Sequence, residues 1–307
     1  MTADRASLIV VALGGNALQR RGESPAIDTL RDNAGRAAAM LLPVIKRTRT
    51  IITHGNGPQI GLLALQSEND SAVAPFPLDV LGAETEGQIG YIIERALRSL
   101  QPGLNIATLL TQVQVDPADP AFAKPSKPIG PQYTDSEARR LAHNRGWQLV
   151  KDGAGYRRAV ASPRPVAILE IDVIRCLSEF GHTVICAGGG GIPVAVTDDG
   201  VIVGVEAVID KDMTTALLAE HLQAHRLILL TDVDAVYRDW PGTKDRPLGQ
   251  STPSKLRAMA FEPGTMGPKV EAACDFVETT KRSAAIGALD QAAAVIAGEA
   301  GTQIVPD

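Results

Sequence analysis

Aromatic side chains and excess charge of one sign are both scarce in this chain of 307 residues. Aromatic residues make up only 4% of the sequence, so Val, Ile, Leu and Ala must build the core. The formal net charge of −5 disfavours nucleic acid or an anionic membrane as the main partner, although local lysines are compatible with a small anionic ligand. With 45% hydrophobic and 21% charged residues, the composition is typical of soluble globular proteins and allows one large α/β domain or two lobes.

Cysteine is also rare, and long hydrophobic runs are absent. Cys176, Cys186 and Cys274 form no CxxC pair, which fits a reducing compartment and predicts that all three are inert core residues. The apolar run that ends at Gly14 is too short and too acidic in its flank for a signal peptide, and no stretch reaches membrane-spanning length. We therefore expect a cytoplasmic protein with no membrane partner.

Several familiar catalytic and nucleotide motifs are missing. The chain has no GxxxxGK[ST] segment, so the sequence does not predict a P-loop NTPase. The glycines after His54 and after Ala187 do not have the spacing of a dinucleotide-binding turn. HExxH, paired CxxC and GxSxG segments are also absent, which excludes zinc peptidases, zinc fingers and serine hydrolases of those types.

The chain does contain four glycine-rich turns, each at the end of an apolar run. They read ALGGN at 12–16, HGNGP at 54–58, AGGGG at 187–191 and GTMGPK at 264–269. A fifth segment, 210–212, places a lysine between two aspartates. A glycine turn after a strand lets backbone N–H groups approach an anion, and a helix that begins there adds positive potential. Several such turns that converge predict a polyphosphate site and phosphoryl transfer.

Apolar runs and helical patterns alternate along most of the chain. The runs suit strands that are buried on both faces, at 8–13, 50–53, 106–110, 165–169, 183–187 and 227–230. The helical patterns lie at 27–45, 58–67, 84–100, 213–222, 268–279 and 289–297. We predict one α/β domain, a three-layer αβα sandwich around a mainly parallel, doubly wound sheet. Its N-lobe would span about 1–180 and its C-lobe about 181–307.

One stretch, about 116–165, breaks this alternation with seven prolines and few signals of buried strands. Within it, Thr134 and Glu137 form the pattern of a capping box that opens a short helix, which ends at Gly146. The stretch is either a small inserted lobe that protrudes from the sheet like a lid or a long surface excursion, and composition favours neither.

Taken singly, each signal has a plain structural interpretation. The first glycine pair suits any tight turn after a strand. Lys211 and Lys269 fit solvated surface lysines, and His54 is more often a structural histidine than a catalytic one. Asp232 and Asp234 fit turn formers after a strand. The functional interpretation gains weight because the turns recur at the carboxyl ends of successive strands, where open α/β sheets bind ligands.

Read together and in order, the segments resemble those of the carbamate kinases, a branch of the amino acid kinase family. The resemblance runs from about residue 8 to the end of the chain. It is carried by VALGGNAL at 11–18, THGNGPQIG at 53–61, DVLGAETEGQIG at 79–90, KPIGP at 127–131, AGGGGIP at 187–193, EAVIDKD at 206–212, LTDVD at 230–234, GTMGPKVEA at 264–272 and GTQI at 301–304.

One position separates the branches of that family. Many amino acid kinases have a lysine two residues before the first glycine pair, where this chain has Ala12. The resemblance implies that Lys211 supplies the missing charge, which points to the carbamate branch over the acetylglutamate, aspartate and uridylate branches. Two departures concern the inserted lobe. The segment 153–155 lacks an arginine that the family usually has, and Ala161 stands where the family often has proline.

The resemblance implies phosphoryl transfer between ATP and carbamate, with ATP/ADP and Mg²⁺ as cofactors, in a homodimer whose other partners are small molecules. Lys211 and Lys269 would flank the transferring phosphoryl group, Asp212 would hold both lysines, and Lys127 would reach that group from the lobe. A plain alternative for Asp212 is the N-cap of a helix. The small acid is expected at Gly14, Gly15, Asn16, Gly55 and Asn56. The nucleotide is expected at Gly188, Gly189, Asp210, Asp232, Asp234, Val236, Tyr237, Met266 and Gly267. We expect no metal ligand from the protein itself.

Two rival functions keep the same fold. One is a kinase that acts on another small acid or a phosphonate, and the other is a nucleotide-binding regulator without catalysis. Loss of Lys211, Asp212 or Lys269 would mark the regulator, and all three residues are present. The family commonly works toward ATP in catabolism, and the helical pattern at 84–100 is a candidate dimer contact.

Overall fold

A computed structural model describes residues 7–19, 23, 26–69, 74–238, 246–261 and 266–307. The strands of these residues are β1 Leu8–Leu13, β2 Arg49–His54, β3 Ile106–Thr108, β4 Gln112–Val115, β5 Lys127–Tyr133, β6 Gln148–Asp152, β7 Gly155–Val160, β8 Pro165–Ile168, β9 Thr183–Ile185, β10 Ile192–Val196, β11 Ile202–Gly204, β12 Arg226–Thr231, β13 Gln250–Ser251, β14 Ser283–Ala288 and β15 Thr302–Ile304. The α-helices are α1 Gly15–Leu18, α2 Ile27–Ile45, α3 Gly57–Asn69, α4 Leu78–Leu100, α5 Pro120–Ala123, α6 Asp135–Arg145, α7 Ile171–Glu179, α8 Lys211–His221, α9 Pro253–Arg257, α10 Met266–Thr280 and α11 Ala292–Ala297.

Eight strands form one large sheet in the order β13-β15-β14-β12-β1-β2-β9-β3. Its neighbouring strands are parallel except for β14 and β15, which pair antiparallel. All six residues of β1 are buried because the sheet is covered on both faces. Val10 packs in a core with α8 and α10, whereas Val11 packs in a second core with α2, α4 and α11. The predicted three-layer αβα fold is confirmed.

The segment 127–160 forms a separate antiparallel sheet in the order β5-β7-β6, which α6 accompanies. The predicted capping box is present, since Thr134 and Glu137 bond reciprocally, and α6 ends at Gly146 in the left-handed conformation. The sequence carries few signals of buried strands in this stretch, although β5, β6 and β7 form a sheet. The strands escaped notice because β5 is an edge strand that tolerates Pro128 and Pro131, which read as strand breakers in the sequence. The proposed division into lobes near residue 180 stays a prediction.

Two sequence-based expectations fail outside this segment. The run 165–169 was expected in the parallel sheet, but β8 pairs antiparallel with β4 in a smaller sheet of order β11-β10-β4-β8. A short apolar run does not specify its partner, and Val166 is in fact 51% exposed. Cys186 and Cys274 are buried, but Cys176 is exposed on α7 and is not a core residue. Among the described residues, no helix is long and apolar enough to cross a membrane.

Candidate active site

The first two glycine turns meet at the carboxyl ends of β1 and β2. These strands pair with Leu13 beside His54, and the N–H group of Gly55 donates to the carbonyl oxygen of Leu13 at 3.0 Å. A Cβ atom added at Gly55 would lie 2.9 Å from the backbone nitrogen of Gly15, so only glycine allows this approach. Gly14, Gly15 and Gly55, which are predicted to bind the small acid, therefore lie side by side.

The third turn, 188–191, follows β9 and packs against the second turn. A Cβ atom at Gly188 would overlap the ring of His54, and one at Gly189 would overlap the side-chain amide of Asn56. Gly188 and Gly189, which are predicted to bind nucleotide, therefore lie against the turn that is predicted to bind the small acid. The reason is strand order: β9 lies beside β2, whereas β12, which leads to the predicted nucleotide residues, lies on the other side of β1.

The charged segment 210–212 begins α8. Asp210 is the N-cap residue, and its Oδ1 accepts the backbone N–H groups of Asp212 at 2.9 Å and of Met213 at 3.3 Å. The alternative role of Asp212 as the helix cap is therefore wrong, because Asp210 performs it. This leaves the carboxylate of Asp212 available for other contacts.

Two threonines hold α8 beside the glycine turns. Thr214 Oγ1 donates to the carbonyl oxygen of Gly190 at 2.9 Å. Thr215 Oγ1 lies 2.7 Å from Thr53 Oγ1, near the end of β2. Because both threonines follow Lys211 by about one turn, these contacts fix the start of α8 at the carboxyl edge of the sheet.

Asp212 lies between the two lysines that are predicted to be catalytic. Its Oδ1 lies 2.7 Å from Nζ of Lys211, and its Oδ2 lies 2.9 Å from Nζ of Lys269. The exposed fractions of the Asp212 and Lys211 side chains are only 5% and 9%. Burial lowers the pKa of Lys211. Burial opposes the ionisation of Asp212, yet the two lysines hold its pKa well below the usual range. The contact with Asp212 likewise raises the pKa of Lys269 against the effect of burial. Two ammonium groups thus share one carboxylate, which leaves a buried excess of positive charge that suits an anionic group.

A second ion pair joins the inserted segment to the start of α8. Nζ of Lys127, the first residue of β5, lies 2.9 Å from Oδ2 of Asp210. Burial opposes the ionisation of Asp210, but the neighbouring Lys127 lowers the pKa of this carboxyl group below its usual value. The sequence predicted that Lys127 reaches the phosphoryl group and that Asp210 binds nucleotide. In the structure the two side chains bind each other, within one residue of Lys211.

Most of the predicted nucleotide residues follow β12 or begin α10. Asp232 and Asp234 are exposed after β12. Tyr237 donates its hydroxyl to Asp234 at 2.9 Å, and this hydrogen bond raises the pKa of Tyr237. Met266 and Gly267 are the first residues of α10, in the turn of helix that carries the second lysine. These residues flank the ion-paired lysines on the side away from β9.

Val236, which is predicted to line the nucleotide pocket, lies in the core of the described structure. Its side chain is fully buried in the core, its N–H group donates to Thr302 Oγ1 at 2.9 Å, and its carbonyl oxygen accepts from Leu248 at 2.8 Å. An apolar residue after a strand gives no sign in the sequence of which way it faces. The side chain of Asn16 and residues 264 and 265 of the fourth turn lie outside the described residues.

Two buried polar residues of α4 contact the site and were missed. Thr85 Oγ1 accepts a hydrogen bond from the side-chain amide of Asn56 at 2.9 Å. Glu86 is 1% exposed, and burial raises its pKa to about 8. Burial also lowers the pKa of the neighbouring His54 to about 4, so this histidine is neutral. Helical periodicity offered a signal, because Glu86 lies three residues before the buried Ile89 and so falls on the buried face of an amphipathic helix.

Known proteins resemble this chain over nearly its whole length. A sequence profile of the amino acid kinase family matches residues 7–288. A carbamate kinase from Haemophilus influenzae is 48% identical over 297 residues, which cover 96% of this chain and 96% of that protein. The chain belongs to the amino acid kinase family.

Solved structures of a carbamate kinase superpose on this chain over nearly its whole length. The carbamate kinase from Giardia lamblia bound to citric acid superposes with a TM-score of 0.92 at 39% identity, over 98% of this chain and 99% of that one. The same Giardia enzyme bound to AMP-PNP superposes with a TM-score of 0.88 over 98% and 99% of the two chains. As a member of this kinase family, the protein is an ATP-dependent phosphotransferase.

Two carboxylates at the start of α8 are paired with lysines. Asp210 binds Lys127, and Asp212 binds both Lys211 and Lys269. Over the ranges that the structure describes, no three His, Cys, Asp or Glu side chains form a group that could hold a metal ion.

Proposed function

We propose that the protein is a carbamate kinase, which reversibly transfers the γ-phosphoryl group of ATP to carbamate to form ADP and carbamoyl phosphate. The observation that carries this proposal is the buried Lys211–Asp212–Lys269 arrangement beside three glycine turns. Two lysines held by one carboxylate suit a transferring phosphoryl group, whose negative charge is spread over its oxygens. The similarity to carbamate kinases over nearly the whole chain supports carbamate as the acceptor.

The reaction needs no covalent intermediate on the protein. A carboxylate oxygen of carbamate forms a bond to the γ-phosphorus, the bond from that phosphorus to the bridging oxygen breaks, and ADP leaves with the electron pair. Catalysis is then positioning plus electrostatic stabilisation. Lys211 and Lys269 offset the charge of the three equatorial oxygens, and Asp212 fixes the rotamers of both lysines. Because both lysine stems are long, the ion pairs limit the entropy that would otherwise be lost on binding.

The two substrates enter from opposite sides of the lysines in this proposal. Gly14, Gly15, Asn16, Gly55 and Asn56 hold the small acid with backbone and amide N–H groups, next to the turn 188–191. Residues 232–237 and the start of α10 hold the nucleotide. The AMP-PNP complex of the Giardia enzyme supports the presence of a nucleotide site in this fold. Lys127 keeps its proposed role at the phosphoryl group, for which it must first leave Asp210.

We propose that Mg²⁺ accompanies the nucleotide. The nearest carboxylates already bind lysines. A Mg²⁺ ion would therefore be held mainly by phosphate oxygens and water, as Mg²⁺ commonly is in kinases. When bound, the Mg²⁺ ion would neutralise charge on the β- and γ-phosphates, while the lysines would stabilise the negative charge of the transferring phosphoryl group.

The remaining parts of the proposal concern the cellular setting. We propose a cytoplasmic homodimer that works toward ATP in arginine catabolism, as the resemblance implies. Exposed apolar side chains support a dimer contact on α4 and beside the edge strand β3, since Tyr91 is 60% exposed, Leu100 47% and Leu110 52%. Size-exclusion chromatography of the parent and of Tyr91→Glu tests this contact.

Formation of ATP from carbamoyl phosphate and ADP with Mg²⁺ tests the proposed function, and Lys269→Ala provides the inactive control. ATP from the parent and none from the variant would support the reaction and the site together. A folded parent that binds ADP but forms no ATP would contradict carbamate as the acceptor. A panel of small acids and phosphonates with ATP would then separate another kinase from a non-catalytic regulator.

A further inference from the structure

A buried carboxyl group of α4, that of Glu86, bridges two segments of backbone behind the proposed acid site. Oε1 of Glu86 accepts the N–H group of Gly188 at 2.8 Å, and its Oε2 accepts the N–H group of Thr111 at 3.1 Å. Thr111 in turn accepts the N–H group of Ala187 on its hydroxyl at 3.0 Å. One side chain therefore ties the start of the third glycine turn to the segment that leads into β4.

The third turn needs such an anchor because it has no side chains of its own. Gly189, Gly190 and Gly191 have φ values of 69°, 102° and 86°, so the turn depends on glycine, which is also the residue with the greatest freedom to move. At its far end Thr214 binds the carbonyl oxygen of Gly190. At its near end the contact from Glu86 to Gly188 holds the turn against β2.

The position of this turn decides the shape of the acid site. A Cβ atom at Gly188 would overlap the His54 ring, and one at Gly189 would overlap the Asn56 amide, so the turn lies directly against both residues. The same helix also holds Asn56 from its other side, through the hydroxyl of Thr85 at 2.9 Å. Thr85 and Glu86, which are adjacent on α4, thus hold Asn56 and the glycine turn that packs against it.

We propose that Glu86 is a positioning residue for the small acid: by accepting two backbone N–H groups, it holds the turn 188–191 against His54 and Asn56. This role rests on the proposed function, because it concerns the acid side of the same site. It is distinct from the nucleotide side, since Glu86 contacts neither residues 232–237 nor α10 in any hydrogen bond or ion pair within the described part of the chain.

The variant Glu86→Gln tests this role with little change of shape. A glutamine side chain offers one carbonyl oxygen and one NH₂ group, so one of the two backbone donors would face another donor. We expect KM for carbamoyl phosphate to rise by about tenfold or more, as loss of a buried hydrogen bond commonly does, while KM for ADP changes by less than about twofold.

The chain offers a matched control in Glu170. This carboxylate also binds backbone beside Thr111, since its Oε2 accepts the N–H group of Gln112 at 2.7 Å, but it makes no contact with the third turn among its hydrogen bonds in the described chain. Glu170→Gln should leave both KM values within about twofold of the parent. Hydrogen exchange gives a readout without activity: the amide of Gly188 should exchange faster in Glu86→Gln and not in Glu170→Gln.

The outcomes separate this role from the proposed function. An active parent whose Glu86→Gln variant keeps its KM for carbamoyl phosphate would overturn the role alone, as would equal rises of both KM values. An inactive parent would overturn the proposed function and this role with it. If Glu86→Gln does not fold, Glu86→Asp keeps two acceptor oxygens on a shorter stem, and a rise of KM confined to carbamoyl phosphate would support the role. An unchanged KM in that variant would contradict it.

Discussion

Lysine side chains lie at both ends of the strands of the large sheet. Those where the parallel strands end, here called the carboxyl edge, stand at the N-termini of helices, whereas the lysine where the strands begin, here called the amino edge, stands at the C-terminus of a helix. At the carboxyl edge, Lys211 is the first residue of α8 and Lys269 lies in the first turn of α10. At the amino edge, Lys46 directly follows the end of α2. Together with Arg49 and His182, it lines a cavity of about 230 Å³ that also touches the chain just after α4 and α7.

The helix macrodipole stabilises a cation at one of these positions and destabilises it at the other. The C-terminal ends of helices attract cations, so Lys46 stabilises the chain where it stands. The N-terminal ends repel cations, so Lys211 and Lys269 are placed against the local potential, and Lys211 is buried while Lys269 is half-buried. Asp212 offsets only part of this cost. Cations that the fold itself disfavours indicate a site arranged for an added anion, whereas Lys46 needs no ligand to explain its position.

Removal of either lysine at the carboxyl edge is the strongest way to test this comparison. We expect Lys211→Ala and Lys269→Ala each to lower kcat by roughly 10²–10³-fold, or about 2.7–4 kcal/mol, because each removes a donor to a developing anion. Turnover with carbamoyl phosphate and ADP measures the effect, and circular dichroism verifies that each variant is folded.

Lys46→Ala is the control from the other edge, and its turnover should stay within about twofold of the parent. Near-normal turnover of either carboxyl-edge variant would remove the assignment of charge stabilisation. A large loss of turnover in Lys46→Ala would show that the two edges do not differ in the proposed way.

A smaller effect is expected from pH on the stability of the fold, through Glu86 and His54, the two buried titratable groups of the proposed acid site. The pKa of Glu86 is raised from 4.5 to about 8 on folding, so the folded state holds an extra proton between these values and its stability falls as pH rises. The pKa of His54 is lowered from 6.5 to about 4, so its contribution has the opposite sign and ends near pH 6.5. Cys186 stays neutral, because burial raises its pKa well above the usual range.

Between pH 6.5 and 8, His54 therefore no longer offsets the fall in the free energy of unfolding that Glu86 causes as pH rises. Over this range Glu86 should lower the free energy of unfolding by about 2 kcal/mol. Urea denaturation of the parent and of Glu86→Gln at both ends of the range measures the difference. Parallel pH profiles of the two proteins would contradict a raised pKa at Glu86.

Local patterns predicted much of the fold, and non-local pairing explains most of what they missed. The bounds of β1 and α2 follow from hydrophobic runs and periodicity, and those of α6 follow from its capping box and Gly146. Strand order is not written in any local pattern. For that reason β8 was assigned to the wrong sheet, and the position of the turn after β9 beside β2 could not be predicted.

The candidate site shows the same limit at the level of single residues. The glycine turns and the lysines were visible because their residue types carry the chemistry. Glu86 was not, because its role comes from burial and from two backbone groups that lie 25 and 102 residues away in the chain. The burial of Val236 could not be predicted for a related reason, since the direction of a side chain after a strand depends on what packs over it.

The smallest expected effect comes from the amino edge, where Lys46→Ala should lower the free energy of unfolding by about 0.3–1 kcal/mol. Lys46 is exposed and follows the last turn of α2, so its charge acts on the carbonyl groups at that end and is screened by salt. Urea denaturation at low and high salt measures this, and the difference from the parent should shrink at high salt. A loss that salt does not change would mean that Lys46 acts through packing of its stem and not through charge. In that case helix polarity would no longer explain why cations line both edges of the sheet.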